Sequence, residues 1–158
     1  MNQRLLVVAV AARLPGWAEQ ACAQYVQRMP RGFETRRVTV KPEPRDTGKP
    51  LARVLALEAQ RIEAQLPAAV RRVALDERGT DLSSAQFAAQ LRRWLDEGDP
   101  TAMLIGGADG IDAALKKSCV ATIRLSSLTL PHALAQLLLC EQLYRAATLL
   151  TGHPYHRE

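Results

Sequence analysis

The sequence predicts a three-layer α/β domain on a mostly parallel sheet, and three observations predict it. Short β-branched runs alternate five times with stretches of helical periodicity. One run, "TAMLI" (101–105), is apolar throughout, as a central parallel strand covered on both faces must be. The chain, at 158 residues, is long enough to bury one real core without disulfide or metal staples.

"RLLVVAVAA" (4–12) reads as the first strand. Its apolar run is short and β-rich and leads into Pro15-Gly16, so a first strand is expected rather than a secretory leader. "WAEQACAQYVQRM" (17–29) follows as a helix, and "FETRRVTVK" (33–41) alternates like a half-exposed strand near a sheet edge. "KPEPRDTGKP" (41–50), with three prolines and a glycine, is a loop. In "LARVLALEAQRIEAQL" (51–66), Leu51, Val54, Leu55, Ile62 and Leu66 fall near one helical face, and Pro67 stops the helix.

"AVRRVALD" (69–76) is the third strand. The helix over 83–98 takes Ser83 or Ser84 as its N-cap and ends at Gly98, beyond which Asp99-Pro100 forbids continuation. After "TAMLI" come "GGADG", a short helix (111–118), a strand "VATIRL" (120–125), a loop "SSLTL" and a long helix from Pro131 to Thr151. Pro131 suits a first helical position. Leucines surround that last helix on nearly every side, and one sheet covers only one side, so a second subunit packed against it is expected. Glu141 and Arg145, at i,i+4, are placed to pair with each other or across that interface.

Composition narrows the function classes. The formal charge is +5 with a pI near 9.5, carried mainly by arginine in clusters at Arg28/Arg31, Arg36/Arg37/Lys41, Arg45/Lys49, Arg71/Arg72 and Arg92/Arg93. Clustered arginine suits a polyanion such as RNA; a merely solvated surface is the plain alternative. Cys22, Cys119 and Cys140 are odd in number and unpaired in spacing, which fits a reducing cytoplasm. The histidines at 132, 153 and 156 have no ligand-spaced partners, so no metal site is expected. No apolar run is long enough to span a bilayer.

In an open parallel sheet, ligands sit beyond the carboxyl ends of the strands, at the point where strand order reverses. That rule selects "LDERG", "GGADG" and "SSLTL". The Gly106-Gly107 pair permits a sharp turn and close approach of a ligand to backbone, though it is neither a full dinucleotide fingerprint nor a phosphate loop. In "LSSLTL", apolar Leu125, Leu128 and Leu130 alternate with Ser126, Ser127 and Thr129, a pattern able to wall a cavity for a flat heterocycle. Each stretch taken alone is also compatible with an ordinary turn or cap.

Taken jointly, "LDERG … LIGGADG … LSSLTLPHALAQLLLCEQLYRA … HPYHRE" and the opening "VAVAARLPGWAEQACAQYVQR" resemble the RlmH family, SPOUT-class methyltransferases of ribosomal RNA. The likeness covers essentially the whole chain. It implies S-adenosylmethionine as methyl donor, methylation of N3 of a pseudouridine in 23S rRNA on the assembled ribosome, an obligate homodimer and a C-terminal trefoil knot. The knot and dimer helix would lie within about residues 100–158. It also implies cofactor contacts at Leu75, Gly106 and Leu125, Ser126, Ser127, Leu128, Thr129 and Leu130. The sequence departs from the family pattern at Ala11, usually glycine, at Thr80, where lysine is expected, and at Ala108-Asp109.

N3 of pseudouridine carries a weakly acidic proton, so a general base or a stabiliser of the anion serves the reaction. The chain ends on Tyr155, His156 and Arg157. His156 is the expected base, Tyr155 a positioning or stacking group, and Arg157 a phosphate or oxyanion ligand, reaching the partner subunit's pocket. His132, at a helix start, is a further candidate, more readily a neutral hydrogen-bonded ring than a catalytic one. Either Arg4 or Arg13 is placed to hold an RNA phosphate. Two rival readings stay open at this point. A nucleotide-binding α/β enzyme using "GGADG" would bind NAD or ATP, and a non-catalytic ribosome-binding module would bind no small ligand.

Overall fold

The computed structural model describes residues 4–46 and 48–157, without the side chain of His156. In chain order the elements are β1 (Leu5–Val10), α1 (Gly16–Gln27), β2 (Thr35–Val40), α2 (Leu51–Glu63), β3 (Arg71–Asp81) and α3 (Ser84–Asp96). They continue with β4 (Thr101–Ile105), α4 (Ala113–Lys117), β5 (Ala121–Arg124) and α5 (His132–Thr151), then a single 3-10 turn, Pro154–Arg157. The five strands form one parallel sheet in the order β2-β1-β4-β3-β5. "TAMLI" is central, as its composition predicts, and β2 lies at an edge.

The period-two geometry of a strand divides the core into two layers. Leu5, Val7 and Ala9 of β1 face a cluster with Leu91 of α3 and Leu139 and Leu143 of α5. Leu6, Val8 and Val10 face the opposite cluster, with Ile62 of α2 and Leu115 of α4. α1 and α3 flank α5 on the first face. At the α1–α5 seam the thiols of Cys22 and Cys140 are both buried. Ser83, not Ser84, caps α3 in a full capping box with Gln86. Pro131 is the N-cap of α5, one place ahead of the expected first helical position, and Gly152 closes the helix at φ 76°. Among the described residues, no helix is long and apolar enough to cross a membrane.

The third strand differs from its predicted extent. It pairs with β4 only as far as Leu75, yet continues to Asp81. Its pairing with β5 shifts register so that both Leu75 and Thr80 oppose Ile123. The "LDERG" stretch is therefore a strand with a bulge, not a loop, and the extra residues bend outward over the strand ends. Gly79 makes this possible, because a Cβ there would stand 2.5 Å from the carbonyl carbon of Ile123. Gly79→Ala is expected to cost about 1–3 kcal/mol, read as a lower urea midpoint with an unchanged slope.

Candidate functional site

Strand order reverses between β1 and β4, because the chain leaves β1 toward one edge and β4 toward the other. A cavity of about 1080 Å³ opens there, beyond the carboxyl ends of β1, β4 and β3. Val10, Leu75 and Ile105 form its apolar floor, and Thr129 and Leu130 its far wall. Its size suits a nucleoside-sized ligand, and apolar walls with a few converging polar groups are the usual makings of such a site.

The glycine turn sets the floor's shape. Gly110 donates to the Gly107 carbonyl at 3.2 Å, and the chain folds back so tightly that a Cβ on Gly106 would overlap the Gly110 carbonyl. Gly106 is thus required by the chain's own backbone, whatever binds beside it. Loop 41–50 is pinned over this turn. Arg45 pairs with Glu58 of α2, which is buried, and its Nε reaches Asp109 at 3.2 Å.

The predicted cofactor residues separate into two groups. Leu75, Gly106, Thr129 and Leu130 line the cavity. Leu125 instead packs against the core on the α3–α5 face. Ser127 is exposed, Leu128 is 78% exposed, and the Ser126 hydroxyl accepts from the Leu128 amide at 2.9 Å, which ties the turn together. None of residues 125–128 lines the cavity in a single chain.

Several lining groups escape sequence reasoning. Asp76 and Lys116 pair at 2.7 Å on the cavity rim. Burial alone pushes the Asp76 carboxyl up, but the Lys116 ammonium and the Arg78 amide outweigh it and hold it below its ordinary value. Arg13 and Arg78 also line the mouth, and among the described residues neither makes an ion pair. Of the two arginines flanking β1, only Arg13 lies at this cavity; Arg4 donates to the Leu95 carbonyl at the other end of the strand. His132 lines the cavity too; burial depresses its pKa, and the neighbouring Gly106 backbone pulls the other way.

The C-terminal turn folds back along α5. The Tyr155 ring meets Tyr144 edge-on at 4.7 Å, and its hydroxyl lies 3.2 Å from both the Glu141 carboxylate and the Tyr25 hydroxyl. Burial, with Tyr25 and Glu141 beside it, pushes the phenol pKa well up, so Tyr155 stays a protonated donor. The Glu141–Arg145 pair forms within the chain, with Nη2 at 2.7 Å. Nine residues separate Glu141 from His132, about 13 Å along the helix, so the tail does not reach the cavity of its own chain. Arg157 is exposed, and the side chain of His156 lies outside the described residues.

Comparison with known proteins bears on this geometry. The family described as "Predicted SPOUT methyltransferase" matches residues 3–156. The chain belongs to the SPOUT methyltransferase family. Similar relatives are the proteins named ribosomal RNA large subunit methyltransferase H of Bordetella avium and Verminephrobacter eiseniae. Each is 53% identical to this chain over 98% of its length and 99% of the relative's. Among solved structures, a probable methyltransferase from Bordetella pertussis shares this chain's fold at TM-score 0.60 and 21% identity, over 92% of this chain and 96% of that one. The enzyme class and the parallel α/β architecture both follow from membership.

One electrostatic consequence is measurable. Because the folded-state pKa of Asp76 is depressed, its contribution to stability is present above the unfolded value and lost as pH falls through the folded one. In Lys116→Met, burial should prevail and the Asp76 carboxyl should titrate above its ordinary value of about 3.9, read by carboxyl-carbon NMR.

Proposed function

We propose that this chain methylates N3 of a pseudouridine in large-subunit ribosomal RNA, using S-adenosylmethionine, as a homodimer acting on the assembled ribosome in the cytoplasm. The observation that carries the reading is 53% identity over nearly the full chain to relatives named for methylating large-subunit ribosomal RNA. The cavity supports it. Leu75, Ile105 and Leu130 offer apolar faces to an adenine, and the Gly106 turn leaves backbone bare of side chains beside it. Glu77 and Lys116 supply opposite charges for the ammonium and carboxylate of an amino-acid moiety. Bound there, the cofactor supplies a methyl group on a sulfonium that is already strongly electrophilic.

The protein's task is then to align, to exclude water and to move one proton. His156 takes the proton from N3, Tyr155 donates a hydrogen bond that positions the base, and Arg157 holds phosphate or the developing oxyanion. Arg13 and Arg78 at the cavity mouth bind the RNA backbone.

A second copy brings this tail to the cavity. α1 and α5 both begin at the carboxyl ends of strands, so they run alongside each other in one direction. Trp17, Leu128 and Leu134 remain 57%, 78% and 37% exposed at that end, an uncovered apolar face beside the cavity. A two-fold partner packed antiparallel on this face covers it and sets each tail against the other chain's site. Residues 125–128 are then completed as cofactor contacts by the pairing. The chain is one domain, 1–158, with the knot and dimer helix within about 100–158. β5 ends at the sheet edge, while α5 returns across the first face to lie between α1 and α3.

The test is mass spectrometry of ribosomal RNA after incubating S-adenosylmethionine and the protein with ribosomes from a strain lacking the enzyme. One new methyl on a pseudouridine is expected, and an unchanged modification map rules the reaction out. Deleting residues 155–158 should abolish transfer while leaving S-adenosylhomocysteine affinity and dimerisation intact; full activity in that truncation discards the role of the tail. Arg13→Ala and Arg78→Ala should each weaken RNA binding and lower the salt slope of log K by about 1.

A further inference from the structure

A line of polar side chains crosses the otherwise apolar α1–β2–α5 layer and ends at the cavity. Arg37 of β2, its side chain 10% exposed, donates to both carboxylate oxygens of Glu19 on α1, at 3.1 and 3.0 Å. The same guanidinium donates to Oε1 of Gln136 on α5 at 3.1 Å. Gln136 is 1% exposed, and its Nε2 lies 3.0 Å from Nε2 of His132. The ring of His132 in turn lines the cavity, whose floor the Gly106 backbone helps to form.

Donor and acceptor counting leaves this line one arrangement. A guanidinium only donates, so the Gln136 atom facing Arg37 must be the carbonyl oxygen. The atom facing His132 is then the amide nitrogen, which also only donates. Nε2 of His132 must therefore accept, and the ring proton sits on Nδ1. The reverse amide orientation would set donor against donor in a buried layer, at the cost of unsatisfied groups. In that tautomer Nε2 is the basic nitrogen, and with Nε2 engaged by Gln136 it is not free to take a proton from a substrate.

We propose that Gln136, held by Arg37 and its surface partner Glu19, fixes His132 as the neutral, Nδ1-protonated tautomer, and that the ring in this fixed form shapes the wall of the cofactor cavity it lines. His132, Gln136 and Arg37 are positioning residues, acting on the shape of the cavity wall and not on the reacting atoms. The depressed basicity of the buried ring agrees with a neutral imidazole. The inference rests on the reading of this cavity as a cofactor site, and the measurements below keep the two apart.

Nitrogen-15 NMR of the ligand-free protein reads the tautomer directly, and the chain has only three histidines to assign. A single Nδ1-protonated state for His132 is expected; an Nε2-protonated ring or an averaged mixture overturns the relay. Gln136→Glu is nearly isosteric and keeps an acceptor for Arg37. The introduced carboxylate also faces Nε2, so the pKa of His132 should rise by about 1–3 units. An unchanged titration shows that Gln136 does not govern the ring.

His132→Phe keeps the ring's shape without its nitrogens. It should weaken S-adenosylhomocysteine binding roughly three- to tenfold by calorimetry, and raise the cofactor KM, with kcat at saturation retained. Unchanged affinity with a collapsed kcat would place His132 on the reacting atoms and overturn the positioning role. If the unmodified protein binds no S-adenosylhomocysteine, the cofactor reading fails, while the tautomer measurement still decides the relay.

Discussion

The site depends on one backbone constraint, the closure of the chain upon itself after β4. Gly106 has no room for a side chain because the Gly110 carbonyl occupies that space. Gly107 is hemmed in almost as closely, its absent Cβ standing 3.1 Å from Val10 and 3.6 Å from Arg45 and Glu58. β1, loop 41–50 and α2 all make contact with this one turn, and α5 shares the cavity wall with it. It is the place where two core layers, a clamped loop and the last helix agree on a position. A central strand with both faces covered cannot shift to accommodate a looser turn, so the cavity floor is as rigid as the core beneath it.

The charge distribution follows a similar economy. Most of the arginines that cluster in the sequence are already engaged. Arg37, Arg45, Arg71, Arg72 and Arg92 pair with carboxylates, and Arg28 stacks over the Tyr144 ring at 4.6 Å. A strongly basic composition therefore leaves a much smaller basic surface than a count suggests. That focuses attention on Arg13 and Arg78, which the turn after β1 and the bulge of β3 carry to the cavity mouth.

Much of this was legible before any coordinates. "TAMLI" announced the central strand, the prolines of 41–50 a loop, and Ser83 a cap; the switch-point rule then chose three stretches, of which all contribute to the cavity. The bulge in β3 was not legible, because Asp76, Glu77, Arg78 and Gly79 have the composition of a turn, and only the register shift against Ile123 makes them strand. Residues 125–128 read as cavity wall by alternation, yet in one chain Leu125 faces the core and Leu128 faces outward. The relay was hidden by distance, since Arg37 and Gln136 lie 99 residues apart. One signal did exist: Gln136 interrupts "ALAQLLL", and a buried amide in an apolar helix needs a partner.

The facing thiols of Cys22 and Cys140 give the molecule a built-in clock. Both are sealed at the seam between the first and last long helices, while Cys119 is only partly covered. An alkylating reagent therefore meets one sulfur readily and the other two only when that seam parts. The slow phase of labelling would then measure how often the last helix lifts away from the first, without any engineered reporter.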